Sequence, residues 1–217
     1  MNNTNLPDRI PLFPLPNAIL FPGLSLPLHI FEPRYREMAA DARAGDGMIG
    51  MVLLNPADAV STSGDPAIFP IGCAGTIDRF ELLEDGRSNL ILKGFRRFRI
   101  QTEDSSKPYR IAQVEWLPSP ADDRSLTEIP GELIPKLEKL LRREGRNFEG
   151  SLADHLPEDA AVAINTLAFA MDLNMVEKMA LLECSSALHR ADRLLEFVEF
   201  RLAGPDQASP DEERIVH

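Results

Sequence analysis

From Leu24 to Ile30, apolar and polar side chains alternate: Leu24, Leu26, Leu28 and Ile30 fall on one side, and Ser25, Pro27 and His29 on the other. A period of two predicts a strand with one buried face. Pro27 has no N–H to give a neighbour, so the strand belongs at a sheet edge or begins there. Glu32-Pro33 marks a helix start, because proline suits the first helical position. Tyr35, Met38, Ala39 and Ala42 follow at helical spacing, and Gly45 and Gly47 end the run.

Upstream, residues 10–22 are crowded with large apolar side chains and broken by Pro11, Pro14, Pro16 and Pro22. These prolines remove helical hydrogen bonds at nearly every turn. Neither the unbroken apolar helix of a secretion signal nor a membrane span fits there. The stretch is expected to belong to the mature, soluble protein and to open its β-structure.

"MIGMVLL" (48–54) predicts a buried strand, and residues 55–70 a loop by their Pro, Ser, Gly and Asp content. "IGCAGTIDRFELL" and "SNLILKGFRRFRI" flank "EDGR", whose Asp85-Gly86 pair suits a tight hairpin. Gly94, inside the second strand, predicts a bulge or sharp bend. "YRIAQVEWL" (109–117) predicts a further strand. Short, hairpin-connected strands point to a small closed or half-closed antiparallel barrel.

Beyond residue 130 the period changes. Leu133, Leu137, Leu140 and Leu141 form a helical stripe ended by Gly145; Ala161, Ile164, Leu167, Ala168 and Met171 form a second. Asn174 and Glu177 have capping-box spacing for a third helix. Leu188, Ala191, Leu195, Val198 and Leu202 make a fourth, stopped by Gly204-Pro205. Strands followed by helices without alternation define an α+β chain: a β-rich lobe over residues 8–117, a linker over 118–129, a helical lobe over 130–204 and an acidic tail over 205–217.

Composition adds little to the fold: 44% of the 217 residues are apolar and 26% charged, as in ordinary globular proteins. Cys73 and Cys184 show neither a disulfide framework nor zinc-site spacing, so a reducing cytoplasm and two buried thiols are expected. The charge distribution says more. Residues 1–78 carry a net −4, residues 79–110 a net +3 and residues 111–217 a net −10. Most of such a surface repels nucleic acid, which needs clustered Lys and Arg. Only "KGFRRFR", with Lys93, Arg96, Arg97 and Arg99, could form a cationic strip for RNA or an acidic peptide; the plainer reading pairs it with the acidic helical half.

The usual catalytic signatures are absent: no phosphate-binding loop, no G-x-S-x-G elbow and no H-E-x-x-H. His29 and Glu32 stand close enough in sequence for an acid/base pair, the seed of a hydrolase reading. His155 sits among Asp154, Glu158 and Asp159, a spacing better explained by an acidic helix start than by a metal. His189 and Asp192 share a helix face flanked by Arg190 and Arg193, which favours solvation. No metal or other cofactor is expected.

Three stretches in order, "PLFPLPNAILFPGLSLPLHIFEPRYREM", "IGCAGTIDRFELLEDGRSNLILKGFRRFRI" and "EKMALLECSSALHRADRLLEFV", resemble the signature blocks of the Lon protease N-terminal, substrate-binding domain. The resemblance implies a β-rich pseudo-barrel lobe of PUA-like type followed by a helical bundle. It also implies a recognition module for unfolded or degron-bearing polypeptides, an adaptor or chaperone-like factor that could serve a separate ATP-dependent protease. These 217 residues contain neither the ATPase loop nor the Ser–Lys dyad of Lon proteases, so a non-enzymatic role is expected. By position, the resemblance places substrate contact at the strand-to-helix junction: Phe31, Glu32, Arg34, Tyr35 and Arg36. The alternative is an RNA-binding PUA-like module using Lys93, Arg96, Arg97 and Arg99.

Overall fold

A computed structural model of the chain describes residues 6–55, 66–104, 106–118, 126–146 and 149–204. The expected tail over 205–217, most of the linker and the centre of the 55–70 loop lie outside the described residues.

The β lobe holds six strands: β1 (Arg9–Leu15), β2 (Ser25–Ile30), β3 (Met48–Leu53), β4 (Ile71–Leu82), β5 (Ser88–Asp104) and β6 (Ile111–Trp116). Their order is β2-β5-β4-β3-β1-β6, and β6 pairs again with the second half of β5. Strands β1, β3, β4, β5 and β6 therefore close into a ring, with β2 extending the sheet along the first half of β5. All pairs are antiparallel except β1–β3.

The alternation in residues 24–30 gave a strand at the expected place, and β2 ends the sheet, as Pro27 demands. β1 is less obvious, since it carries Pro11 and Pro14. The Leu12 N–H donates to Arg110 O at 2.8 Å, so by alternation the nitrogen of Pro11 faces the β3 side and that of Pro14 the β6 side. Pairing with β3 begins only at Leu12, and pairing with β6 ends at Pro11. Each missing N–H thus points where no ladder runs.

Inside the ring, Ile10, Leu12, Val52, Ala74, Phe98, Ala112 and Val114 form a closed core. Phe98 is fully buried, and two glycines make room for it. A Cβ on Gly72 would lie 2.6 Å from Phe98 Cζ, and one on Gly50 2.8 Å. Small barrels have just enough interior for their own side chains, so a large ring requires small neighbours.

The outer face of the sheet builds the main core with the helices. Helix α1 (Pro33–Ala44) buries Tyr35, Met38, Ala39 and Ala42. The helical lobe contains α2 (Leu133–Arg143), α3 (Ala160–Ala170), α4 (Met175–Glu183) and α5 (Ala187–Ala203), with a short 3₁₀ turn at Leu152–His155. Asn174 and Glu177 do form a capping box on α4.

Two buried arginines join the lobes. Arg97 of β5 donates to the carbonyls of Leu182 (2.8 Å), Cys184 and Ser185 (3.1 Å) at the end of α4. Arg190 of α5 donates to Leu181 O at 2.8 Å and to Asn165 Oδ1 at 3.0 Å, and Asn165 Nδ2 reaches Pro22 O at 2.8 Å. A helix C-terminus leaves its last carbonyls without intrahelical donors, and its dipole favours cations. Burial pushes the Cys73 thiol, opposite Arg97 in the β4–β5 register, up to about 12.

Replacing Arg97 by Met strands these carbonyls. Arg97→Met is expected to cost about 3 to 5 kcal/mol, read as a lowered urea midpoint, with Arg97→Lys recovering part of it. A midpoint unchanged from wild type would show that packing alone holds the lobes.

Candidate functional site

β2 passes into α1 through Phe31 and Glu32. The Glu32 backbone is extended and caps the helix, and Pro33 begins it. Arg34 Nε donates to Glu32 Oε2 at 2.9 Å, and its guanidinium lies 4.4 Å from the centre of the Tyr35 ring. Tyr35 itself is buried and meets Phe13 edge-on at 4.6 Å. Phe31 is 59% exposed, its ring stacked 6.1 Å from His29. Arg36 turns the other way, over Gly86 in the β4–β5 turn, where an added Cβ would collide with its guanidinium.

The five expected residues therefore divide. Phe31, Glu32 and Arg34 form the outer surface of the junction. Tyr35 is core whose edge reaches a cleft, because its helix face packs on the sheet. Arg36 covers the hairpin.

That cleft, about 220 Å³, is floored by Pro14, Leu15, Tyr35 and Leu54 and rimmed by Glu32 and Arg34. Its far wall is Lys107, Pro108, Tyr109 and Arg110, a turn whose sequence predicted only a strand start. Tyr109 donates its hydroxyl to Asp41 Oδ2 at 2.6 Å, and Lys107 donates to the same oxygen. Hydrogen bonds from Lys107 and Tyr109 hold the Asp41 carboxyl below its usual range. The same contacts raise Lys107, while burial, followed by the bond to Asp41, raises Tyr109. Asp41 of α1 thus fixes the far wall against the helix that carries the junction.

The four-residue cationic strip is not assembled. Gly75 pairs with Gly94 and Ala74 with Arg96, leaving Phe95 as an extra residue. The bulge expected at Gly94 is therefore present, and it reverses the faces beyond it. Lys93 pairs with Thr76 and Arg97 with Cys73, which lie on opposite faces of β4. Arg97 is buried against α4, and Arg96 Nε donates to Leu117 O at 2.5 Å. Only Lys93 and Arg99 remain exposed.

His29 and Glu32 join different networks. His29 Nδ1 meets Asn89 Oδ1 at 2.7 Å, Asn89 Nδ2 donates to Glu81 at 3.0 Å, and Glu32 is taken by Arg34. Asp154 completes the cap of the 3₁₀ turn and Asp159 caps α3 through the Val162 N–H at 2.9 Å. His189 Nδ1 lies 3.4 Å from Ser185 Oγ. Among the described residues no group of three or more His, Cys, Asp and Glu side chains could hold a metal ion, and no helix is long and apolar enough to cross a membrane.

The chain is therefore an α+β protein: a ring-closed β lobe followed by a helical lobe, with a cleft at the strand-to-helix junction. Residues 9–199 match the family described as the ATP-dependent protease La (LON) substrate-binding domain, and the chain belongs to that family. It is 30% identical over 207 residues to a Lon protease of Flavobacterium johnsoniae, covering 93% of this chain and 25% of that protein. It is 24% identical to the Lon protease of Escherichia coli, over 88% of this chain and 24% of that one. The chain thus spans about a quarter of the length of these relatives. Among solved structures, the Lon N-terminal domain protein from Xanthomonas campestris superposes with a TM-score of 0.63 at 26% identity, covering 87% of this chain and 98% of that one. The N-terminal domain of a Mycobacterium avium complex Lon protease, with a TM-score of 0.58 and 17% identity over 88% and 98%, shares the fold.

The lowered Asp41 carboxyl has a defined pH consequence. A depressed folded pKa contributes stability that is full above the unfolded value, about 3.9, and is lost as pH falls through the folded value. Asp41→Asn removes this contribution, so the variant's thermal midpoint should fall less steeply than wild type on acidification below about pH 4. Thermal scans between neutral and strongly acid pH check this; parallel curves refute it.

Proposed function

We propose that this chain is a non-catalytic polypeptide-recognition module that binds unfolded or degron-bearing proteins at the β2–α1 junction, as a cytoplasmic adaptor or chaperone-like factor. The observation that carries this reading is Phe31, a large ring 59% exposed at the junction, next in sequence to Glu32 on the rim of a cleft lined by proline, leucine and tyrosine. An exposed aromatic anchor beside a preformed apolar recess suits the large side chains that folded proteins keep inside. The Glu32–Arg34 pair on the rim adds orientation, because it can exchange partners with a bound chain's polar groups. Family membership supports substrate recognition of this kind. The bound polypeptide could then pass to a separate ATP-dependent protease.

Fluorescence anisotropy with a reduced, carboxymethylated model protein tests the reading. The unfolded form should bind and the native form should not. Phe31→Ala with Arg34→Glu should weaken binding by about tenfold, the scale of losing one anchor, while the thermal midpoint stays near wild type. Equal affinity for folded and unfolded forms, or an unaffected double variant, would defeat it.

A further inference from the structure

A second groove, of about 550 Å³, lies on the open sheet beside the junction, lined by β2, β5 and β4. Resting on the polypeptide-binding reading, we propose that it is a second subsite of the same surface, taking an extended segment in which apolar and acidic residues alternate.

The register sets out this face in rows across the three strands. Ser25, Lys93 and Thr76 form one row, Pro27, Ile91 and Arg79 the next, and His29, Asn89 and Glu81 the third. The leucines between them point to the core, so the exposed face has an apolar centre at Pro27 and Ile91 with polar groups around it.

Charge decides what can occupy it. Glu81 accepts from Asn89, and Asp85, in the adjoining turn, is held by Arg87 at 2.6 Å. Among the described residues Arg79 and Lys93 make no ion pair, and neither does Asp78 at the register shift beside Arg79. Two uncompensated cations therefore flank Ile91 from adjacent strands, diagonal neighbours roughly 7–8 Å apart. Same-face side chains of an extended segment recur about every 6.6 Å, so one carboxylate can meet a cation while the next apolar side chain reaches Ile91 and Pro27.

Pro27 explains why the segment lies across the face and does not add to the edge. Gly94 N donates to Leu24 O at 2.7 Å, so along β2 the even-numbered residues bond to β5 and the odd-numbered ones face outward. The outward ladder therefore meets a proline at its centre, with no N–H to offer. Phe31, stacked on His29, continues this face towards the β2–α1 junction. The apolar centre and the carboxylate of Glu81 on the same face suit a peptide better than a phosphate backbone.

Labelled peptides of alternating leucine and glutamate, leucine and serine, and leucine and lysine test this on the full 217-residue chain. The glutamate peptide should bind best and the lysine peptide least. Arg79→Glu with Lys93→Glu should weaken the glutamate peptide by about tenfold, and Arg79→Gln with Lys93→Gln by less, as expected for rim charges. Binding of the carboxymethylated protein should remain sensitive to Phe31→Ala. The subsite is overturned if folded charge-reversed protein holds the glutamate peptide within about twofold of wild type, the scale of an ineffective surface pair. It is also overturned if the lysine peptide binds as well, or if single-stranded RNA displaces the peptide through the same two residues. Loss of the Phe31 effect with the charge effect intact would remove the junction reading and leave this face as the binding site.

Discussion

The grip of Arg97 and Arg190 on the end of α4 is the contact on which the arrangement of the two lobes depends. Burying a guanidinium costs several kcal/mol, and only well-placed acceptors offset that cost. Here the acceptors are the carbonyls of Leu181, Leu182, Cys184 and Ser185. Leu181 and Leu182 lie in the last turn of α4, where carbonyls lack the donor of the next turn and the dipole already attracts a cation, while Cys184 caps the helix and Ser185 follows it. Apolar contact across the shared core supplies attraction without direction. The arginines supply direction, because a planar fork accepts oxygens only at set angles. Asn165 extends the network to Pro22, so the β1–β2 connection is fixed to the same point.

The Phe95 bulge makes that grip possible. Without the extra residue, Lys93, Arg97 and Arg99 would share one face of β5, the arrangement that simple alternation predicts. One unpaired residue reverses the faces. Arg97 turns to the helices, while Lys93 stays on the open sheet. Gly94 allows the turn, since a Cβ there would lie 2.2 Å from Phe21 O. One strand thus carries the joint between the lobes in one half and a solvent-facing cation in the other.

Much of this fold was legible in the sequence because local signals agreed with tertiary demand. The alternating leucines of β2, the Pro33 start of α1, the Asp85-Gly86 turn and the Asn174–Glu177 box each describe an interaction completed within a few residues. The failures are non-local. Pro11 and Pro14 were compatible with the expected opening strand, but on which side each ladder runs past them was not legible. Arg97 looks like surface until its acceptors arrive from 85 to 88 positions away. The cleft wall at Lys107–Arg110 depends on Asp41, from another element. One signal was there to be used: Asn165 interrupts the buried face of a mostly apolar helix, and a buried amide requires a partner.

The anchoring contacts and the proposed recognition surface occupy opposite ends of the supporting framework. β5 is held on both sides over its first half, by β2 and β4, whereas β2 has only β5 beside it, and its leucines are only half-buried. An edge strand is the most exposed part of a sheet and the part most prone to unwanted pairing. A module of the proposed kind, meeting unfolded chains, would be surrounded by extended backbone seeking such an edge. Pro27 withdraws the central N–H from that encounter, so chains gain little by extending the sheet. What remains available is side-chain chemistry: the ring of Phe31, the rim of Glu32 and Arg34, and the face around Ile91. Binding through side chains is reversible and selective for exposed apolar segments, whereas binding through backbone would be indifferent to sequence and would favour continued growth of the sheet.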